Sequence, residues 1–191
     1  MTTISIIGTG NMGRAISAVV GRSGHTVQLV GSDDTDTQVT GDVVVLAVPH
    51  TALGAVLAQR GESLAGRVVV DITNPVDFET FDSLVVPADG SQAAELARAL
   101  PQSRVVKAFN TNFAGTLASG KVGDLVTTVL LAGDDAEAKR TVADVVTAGG
   151  LRAIDAGSLK RARELEALGF LQITLAASEK VAWTGGFGVV A

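Results

Sequence analysis

Short stretches of β-branched and aliphatic residues recur along the chain and alternate with longer segments whose apolar residues are spaced as on one face of a helix. Several of the short stretches are apolar at nearly every position, which is typical of strands buried on both faces of a parallel sheet. The pattern predicts seven strands, over residues 3–7, 26–30, 43–48, 67–70, 104–108, 125–131 and 151–154.

Helical patterns fill most of the segments between these strands. Four helices are predicted there, over residues 12–21, 51–60, 92–100 and 135–147. The last is expected to open at a cap formed by Asp134, with Glu137 three residues on. Only residues 32–41 separate the second strand from the third, too few for the helical crossover that parallel strands usually need, so a loop is expected there. This alternation predicts a doubly wound α/β fold with a mostly parallel sheet.

The carboxyl-terminal part of the chain predicts one long helix, from a cap at Ser158 to about Lys180. Its apolar residues fall on two faces, one with Ala162, Leu165, Leu168, Leu171 and Leu175 and another with Phe170, Ile173 and Ala177. Such a helix either lies buried in the core or packs against a second copy of the chain, and a homodimer is the hypothesis that follows. We expect residues 158–191 to pack on a sheet domain made by residues 1–157, as one compact unit.

Composition narrows the classes of function. The chain has 191 residues, 47% hydrophobic and 18% charged, which suits one packed domain and excludes intrinsic disorder. A formal charge of −5 argues against nucleic acid and anionic membranes, because both bind basic surfaces. With no cysteine and 2 histidines, a metal site is not expected. The chain start lacks signal-peptide features and no apolar run is long enough to cross a membrane, so we expect a cytoplasmic protein with a small-molecule ligand.

A glycine-rich motif lies between the first predicted strand and the first predicted helix. In this setting Gly8 permits the tight turn, Gly10 leaves room for a pyrophosphate to approach the backbone, and Gly13 lets the helix pack close to the strand. Free amides and the helix dipole at this point favour an anionic ligand. We therefore predict that residues 1–157 form a Rossmann-like dinucleotide-binding domain. The cofactor-binding residues of the motif are Gly8, Thr9, Gly10, Asn11, Met12 and Gly13.

The end of the second strand bears on the choice between NAD and NADP. An acidic residue there usually accepts the ribose hydroxyls of NAD, whereas this strand ends in Gly31 and Ser32, which suits a 2′-phosphate better. Asp33 and Asp34 come next, with no Lys or Arg near in sequence, and an exposed like-charge contact at ~4 Å costs on the order of 1 to 4 kcal/mol. We interpret both as solvated loop charges in preference to ribose ligands. NADP(H) is the preferred assignment and NAD(H) stays open.

Polar and small residues follow three further strands, at the sheet edge where open α/β folds bind ligands. Pro49 is expected to stiffen the backbone beside the nicotinamide ribose, and Thr73 and Asn110 to offer hydrogen bonds to ribose or carboxamide. His50 is the one catalytic candidate: it either donates a proton or hydrogen bond to substrate, or only caps the following helix. The remaining predicted cofactor-binding residues are Gly31, Ser32, Val48, Pro49, His50, Thr73, Asn74, Pro75, Ala108, Phe109 and Asn110.

Other notable residues have structural interpretations beside functional ones. His25 is expected to be structural. Asp71 and Lys107 belong to buried strands, where a stabilising ion pair or backbone contact is as reasonable as catalysis. Trp183 and Phe187 in the tail either wall or cover the substrate pocket or simply pack against the fold, and packing is the favoured interpretation.

With these residues placed, the chain resembles the family of coenzyme F420-dependent NADP oxidoreductases and the related NADPH-dependent ferric reductase domains, over nearly its whole length. The resemblance rests on five segments together: Ile7-Gly-Thr-Gly-Asn-Met-Gly13, Val30-Gly-Ser32, Val70-Asp-Ile-Thr-Asn74, Val106-Lys-Ala-Phe-Asn-Thr111 and Asp155-Ala-Gly-Ser-Leu159. The chain is also similar to short bacterial dinucleotide-binding oxidoreductases that share Leu159-Lys-Arg-Ala-Arg-Glu-Leu-Glu166 and the ending Trp183-Thr-Gly-Gly-Phe187.

The resemblance implies NADP at the glycine loop. Thr9 and Ser32 would lie on the 2′-phosphate side, and the nicotinamide near Pro49, His50 and Ala108. Family members with a known F420 reaction have an arginine directly after that serine, where this chain has Asp33, and a longer segment before the third strand. Both differences weaken the phosphate clamp.

Three functions follow from these residues. The leading one is an oxidoreductase that moves a hydride between NADP(H) and a flat acceptor such as F420 or a flavin, which needs two aligned rings and few acid–base residues. A reductase of a small carbonyl or imine is the alternative enzyme and would need a proton donor such as His50. A dinucleotide-binding redox sensor without turnover is the third.

Overall fold

The computed structural model describes residues 2–190; Met1 and Ala191, and with Ala191 the last residue of the predicted 158–191 unit, lie outside the described residues. The described strands are β1 (Thr3–Ile7), β2 (Thr26–Val30), β3 (Val43–Leu46), β4 (Val68–Asp71), β5 (Arg104–Lys107), β6 (Lys121–Val122), β7 (Leu125–Val126), β8 (Thr128–Gly133) and β9 (Arg152–Gly157). The described α-helices are α1 (Asn11–Arg22), α2 (Leu53–Arg60), α3 (Gln92–Ala99), α4 (Ala114–Ser119), α5 (Ala136–Ala148) and α6 (Ala162–Ala177).

Seven strands form one sheet in the order β2-β1-β3-β4-β5-β8-β9. All neighbouring pairs run parallel except β5 and β8, which are antiparallel. The order reverses between β1 and β3, and that switch point is where open α/β sheets bind ligands. The predicted doubly wound, Rossmann-like fold with a mostly parallel sheet is therefore confirmed, as is the loop without a helix between β2 and β3.

Helices cover both faces of the sheet, which is why the strands are apolar at nearly every position. On one face Ile4 and Val45 pack in a core with Ile16 of α1. On the other face Val44 packs in a second core with Leu96 of α3. Successive residues of a strand point to opposite faces, so a strand covered on both sides has no polar face to alternate with.

The segment predicted as one strand over residues 125–131 is two strands, and this prediction is wrong. β7 pairs with β6 in a small antiparallel hairpin, whereas β8 joins the main sheet beside β5. The break lies at Thr127, whose hydroxyl donates to the carbonyl oxygen of Thr116 at 2.8 Å. Because Thr127 and Thr128 are β-branched, strand propensity continues through the break and hides it from a sequence pattern.

Two predicted helix starts also differ from the structure. α5 is capped by Asp135, which accepts from the Ala138 amide at 2.8 Å, while the Asp134 carboxylate accepts from the Leu159 amide at 2.9 Å. The predicted Asp134 cap is therefore wrong. Beyond Ser158, which makes no side-chain cap bond, a 3₁₀ turn over Leu159–Arg161 precedes α6, and α6 ends at Ala177 rather than near Lys180.

The buried face of α6 is not the predicted leucine face. The buried residues include Leu165 and Gly169, but also the polar residues Glu166 and Gln172, whereas Leu171 is 49% exposed. Polar residues occupy this face because each has partners there: Gln172 donates to the carbonyl oxygen of Thr111 at 3.3 Å. A hydrophobicity pattern cannot place a helix that turns polar residues inward.

A buried ammonium group ties α6 to the sheet. Nζ of Lys107 lies 2.9 Å from Oδ2 of Asp71 and 2.8 Å from Oε1 of Glu166, and all three side chains are fully buried. It also donates to the carbonyl oxygen of Thr73 at 2.5 Å. The predicted structural pairing of Asp71 with Lys107 is present, and Glu166 is the member that the sequence did not indicate.

Glu166 has further partners at the start of α3. Its carboxylate accepts from the Gln92 amide at 2.9 Å and from the Ala93 amide at 3.2 Å, at the positive end of that helix. Burial nevertheless raises the pKa of the Glu166 carboxyl above its ordinary value, against the opposing effect of the Lys107 ammonium. The nearby Asp71 carboxylate acts in the same direction as burial.

Replacement of the buried cation should destabilise the fold strongly. In Lys107→Met the two carboxylates of Asp71 and Glu166 face each other without a counter-charge, and we expect the free energy of unfolding to fall by about 3–5 kcal/mol. Lys139→Met is the matched control, because Lys139 pairs with Asp155, whose side chain is 57% exposed. That control should lose about 1 kcal/mol or less. Urea unfolding measures both, and equal losses would contradict the assignment.

Glu166 should also leave a signature in the pH dependence of stability. Because its pKa is raised in the folded state, the native protein holds the proton to a higher pH than the unfolded chain does. Titration of Glu166 therefore lowers the free energy of unfolding as pH rises through that interval, and raises it as pH falls. We expect wild type to gain stability relative to Glu166→Gln as pH falls from 7 towards about 4.3, the ordinary pKa of glutamate. A constant difference in urea unfolding across this range would contradict the raised pKa.

Candidate functional site

The glycine motif forms a tight turn between β1 and α1. Gly8 has φ +117°, and a Cβ there would lie 2.1 Å from the carbonyl oxygen of Ala47. A Cβ on Gly13 would lie 2.0 Å from the carbonyl oxygen of Gly8. Around Gly10, by contrast, a Cβ would meet no described atom within 4 Å. Two glycines are thus required by close packing, and the third opens onto free space.

The start of α1 presents main-chain amides to that space. The helix begins after Gly10, and the Arg14 amide donates to the Gly10 carbonyl oxygen at 3.0 Å. The amides of Asn11, Met12 and Gly13 precede this first intrahelical bond, and the first turn carries no acidic residue. Amide hydrogens and the helix dipole therefore favour a phosphate at this position.

A cleft of about 340 Å³ lies beside the turn. Its floor and walls come from the ends of β1, β2 and β3 and from α2. Seven of the predicted cofactor-binding residues line it: Gly8, Thr9, Gly10, Gly31, Ser32, Val48 and Pro49. The predicted strand over residues 43–48 is shorter in the structure, where β3 ends at Leu46. Ala47 still donates its amide to the Ile7 carbonyl oxygen at 2.8 Å, and Ala47 and Val48 line the cleft.

A second group of predicted residues gathers at the ends of β4 and β5. Asn74 and Asn110 pair reciprocally, with Nδ2 of Asn110 2.9 Å from Oδ1 of Asn74 and Nδ2 of Asn74 2.8 Å from the carbonyl oxygen of Asn110. Nδ2 of Asn110 also donates to the carbonyl oxygen of Leu165 on α6, at 2.8 Å. A Cβ on Gly169 would come within 2.3 Å of Asn74, so α6 needs glycine at that contact. Both asparagines hold elements together.

The chain reaches Asn110 through a strained residue. Phe109 has φ +62°, a left-handed conformation that costs on the order of 1 to 3 kcal/mol in a residue other than glycine. Its ring is 2% exposed and packs in the core of the sheet, which holds the conformation in place. Such strain concentrates at functional sites.

Among the described residues, five buried side-chain atoms lack a hydrogen-bond partner, and three of them belong to predicted site residues: Nδ1 of His50, Oγ1 of Thr73 and Oδ1 of Asn110. A buried polar atom left unpaired costs about 1–3 kcal/mol, so a ligand with its own donors and acceptors would be stabilised here. A nicotinamide ribose and carboxamide offer such groups. The residues therefore fit the dinucleotide that the glycine turn indicates.

His50 begins a 3₁₀ turn, His50–Ala52, that leads into α2. Neither that turn nor α2 has a side-chain cap bond, so the capping interpretation of His50 is not what the structure shows. Its ring stacks on Phe78 with centroids 6.1 Å apart and an interplanar angle of 23°. Phe78 is 54% exposed and makes an edge contact with Phe81 at 5.5 Å. An aromatic wall thus borders the edge beside His50.

Some predicted residues present little side-chain surface to a ligand. Ala108 and Phe109 lie in the core, Pro75 is buried, and Met12 packs against the core. In the other direction, the sequence did not indicate Arg60, which lines the cleft. Its position depends on how α2 packs, and no residue spacing or motif in the sequence predicts that Arg60 lies at the cleft.

Two remaining expectations concern residues away from the cleft. Nδ1 of His25 accepts from the Thr2 amide at 3.1 Å, as a structural histidine would. In the tail, Trp183 packs on Phe113 with centroids 4.9 Å apart, and the Phe187 amide donates to Oε1 of Gln172 at 3.2 Å. The favoured interpretation of the tail, packing against the fold, agrees with these contacts.

Within residues 2–190 no helix is long and apolar enough to cross a membrane. In the same part of the chain no group of three or more His, Asp or Glu side chains is arranged to hold a metal ion.

Comparison with known proteins places the chain among reductases, although no protein-family model matches it. An F420-dependent NADP reductase of Methanocaldococcus jannaschii is 32% identical over 171 residues, which are 87% of this chain and 76% of that protein. The metalloreductase STEAP3 of Rattus norvegicus is 33% identical over 86% of this chain but only 36% of its own length. A crystal structure from Arthrobacter sp. FB24, provisionally assigned as an F420-dependent NADP reductase, has a TM-score of 0.85 and 26% identity over the whole of both chains.

The archaeal relative matches over most of both chains, and the resemblance drawn from the five sequence segments is confirmed. The chain belongs to the family of the F420-dependent NADP reductases and is an NAD(P)-dependent oxidoreductase.

Proposed function

We propose that this protein moves a hydride between a nicotinamide dinucleotide, NADP(H) or NAD(H), and a flat redox acceptor of the F420 or flavin type. One observation carries the proposal: the open, amide-lined start of α1 at Gly10 lies at the same edge of the sheet as the ends of β4 and β5, where buried polar atoms lack partners. The relatives named as F420-dependent NADP reductases support both NADP and F420.

The glycine turn would bind the pyrophosphate. Amides at the start of α1 donate to its oxygens, and Gly10 leaves the backbone bare where the phosphates approach. From there the adenosine half would follow the cleft past Gly31 and Ser32, and the nicotinamide half would lead towards Pro49 and His50. Phosphate binding through backbone groups needs no side-chain cation.

The strand ends would orient the nicotinamide. Oγ1 of Thr73 and Oδ1 of Asn110 can pair with ribose or carboxamide groups, which satisfies atoms that are otherwise buried and unpaired. The Asn74–Asn110 pair and α6 keep Asn110 in place. Hydride transfer depends chiefly on such positioning of two rings.

The proposed reaction requires few chemical groups from the protein. When bound, a reduced dinucleotide would supply a hydride, and a deazaflavin or flavin acceptor would take that hydride together with one proton from solvent. The products are the oxidised dinucleotide and the two-electron-reduced acceptor. The aromatic surface of Phe78 beside His50 would stack the acceptor ring, since flat rings pack well on aromatic faces.

Reduction of a small carbonyl or imine is a second candidate, because Nδ1 of His50 is buried and unpartnered near the predicted nicotinamide position. That chemistry needs a proton donor, a role histidine fills well. The redox sensor would bind the dinucleotide by the same contacts without turnover.

The proposal includes the organisation of the molecule. Residues 1–157 would form the dinucleotide-binding domain, with residues 158–191 packed on it. A cytoplasmic homodimer would use the outer face of α6, where Leu171 is 49% exposed. Light scattering of the purified protein measures the oligomeric state.

Gly10→Val tests the binding site without disturbing the fold. A Cβ at this position meets no described atom within 4 Å, so the variant should fold normally, while the side chain fills the space that the pyrophosphate needs. Loss of two charge-assisted hydrogen bonds corresponds to a dissociation constant on the order of 100-fold weaker. Titration of NADPH and NADH by nicotinamide fluorescence measures it. Gly21→Val, at an equally open position in α1, is the control, and unchanged affinity in Gly10→Val would refute the site.

Turnover assays separate the candidate functions. We expect purified protein to oxidise NADPH or NADH with F420, FMN or a ferric chelate, and His50→Ala to retain most of that rate because ring alignment governs it. If the protein instead reduces carbonyls or imines, removal of a general acid should lower kcat by on the order of 100-fold or more. Binding without oxidation by any acceptor would favour the sensor.

A further inference from the structure

The carboxylate of Asp34 folds back onto the end of β2. Its Oδ2 accepts from the Gly31 amide at 2.7 Å, and the Asp34 amide lies 3.4 Å from the Gly31 carbonyl oxygen, which closes the turn. A Cβ built on Gly31 would lie 3.2 Å from the same Oδ2. The carboxylate therefore lies next to the position that the Cβ atom of a residue other than glycine would occupy at the end of β2.

That place has a defined role in dinucleotide folds. An acidic side chain at the end of the second strand accepts the hydroxyls of the adenosine ribose, and NAD has both hydroxyls whereas NADP carries a phosphate on one of them. This chain has Gly31 there, and Asp34 supplies the missing carboxylate from three residues further on. Gly31 and Ser32 line the cleft at this point, and the Asp34 carboxylate lies next to that part of the lining through its bond to the Gly31 amide.

The loop that carries Asp34 is held by a buried guanidinium. Arg60 of α2 is 7% exposed and donates to the carbonyl oxygens of Asp34, Thr35 and Thr37. The position of the Asp34 side chain is thus supported by the body of the fold. Because the connection between β2 and β3 has no helix, Arg60 anchors it to the fold.

The nearby cations are engaged with backbone oxygens. Nε of Arg14 donates to the Thr9 carbonyl oxygen at 2.9 Å, and Arg60 holds the three loop carbonyls. Among the described residues, Asp34 makes no ion pair within 4 Å with Lys, Arg or His. Both guanidinium groups keep their positive charge, but neither forms an ion pair with Asp34. A 2′-phosphate would therefore meet the Asp34 carboxylate itself, whereas a ribose diol would find an acceptor there.

We propose that Asp34 sets the dinucleotide preference of this protein, favouring NAD(H) over NADP(H) by accepting the adenosine ribose hydroxyls. The inference rests on the proposed function, since it requires a dinucleotide at the glycine turn. It narrows the cofactor and departs from the NADP in the names of the relatives. Within this loop we assign the discrimination to Asp34, because its carboxylate is the one bonded to the Gly31 amide.

The test is a pair of isosteric charge removals. Asp34→Asn keeps an oxygen that can accept the Gly31 amide, so the turn should persist while the negative charge is lost. Asp36→Asn is the matched control: it removes the same charge from the same exposed loop, at a residue that does not line the cleft. Dissociation constants for NADH and NADPH are measured for wild type and both variants by nicotinamide fluorescence.

We expect wild type to bind NADH more tightly than NADPH. In Asp34→Asn the ratio of the NADPH to the NADH dissociation constant should fall by about tenfold or more, and the fall should shrink at high salt, because a like-charge repulsion is screened. Asp36→Asn should change the ratio by much less.

Several results would overturn the inference. One is an unchanged ratio in Asp34→Asn. Another is equal strengthening of the binding of both dinucleotides, which would make the carboxylate a simple obstruction. The third is the same shift in Asp36→Asn. If both dinucleotides bind tightly but the ratio of their dissociation constants does not change in Asp34→Asn, only the role assigned to Asp34 is refuted. Failure of wild type to bind either dinucleotide refutes the proposed function together with this inference.

Discussion

One buried ammonium group, Nζ of Lys107, connects the elements on which the candidate site depends. It joins β5 to Asp71 of β4 and to Glu166 of α6. The Glu166 carboxylate in turn accepts hydrogen bonds from the first amides of α3. One cation facing two carboxylates leaves a net negative charge, and the positive end of α3 offsets part of it. Thr73 and Asn110 follow these paired strands directly, so their positions are set by this cluster.

The two halves of the site are built on opposite principles. At the glycine turn, the absence of side chains matters: Gly8 and Gly13 allow backbone to touch backbone, and Gly10 leaves the amides of α1 accessible. At the ends of β4 and β5, charges and amides buried against α6 hold polar atoms in place. A bare backbone suits phosphates that are bound by shape and dipole, whereas rigid polar groups suit a ring that must be oriented.

Local patterns in the sequence predicted the parallel strands of the main sheet, helices α1, α2, α3 and α5, the tight turn at Gly8 and the close packing at Gly13, since each depends on neighbouring residues. The short helix α4 was not predicted. Glu166 and Arg60 were missed because their partners lie far along the chain: Glu166 contacts an amide 74 residues away, and Arg60 a carbonyl 26 residues away. The break at Thr127 was missed for another reason, because strand propensity is the same on both sides of it. Long-range pairing and changes of partner leave no periodic signal.

The short connection between β2 and β3 determines which charged groups lie at the end of β2. A helical crossover would anchor itself through an apolar face; a loop has no such face and here depends on the guanidinium of Arg60, which binds three of its carbonyls. Once anchored, the loop returns its acidic residues to the strand end, and the Gly31 amide attracts the carboxylate of Asp34. The loop therefore brings a negative charge to the strand end that lines the cleft, and under our proposal this charge selects the coenzyme while the glycine turn binds the pyrophosphate that NAD and NADP share.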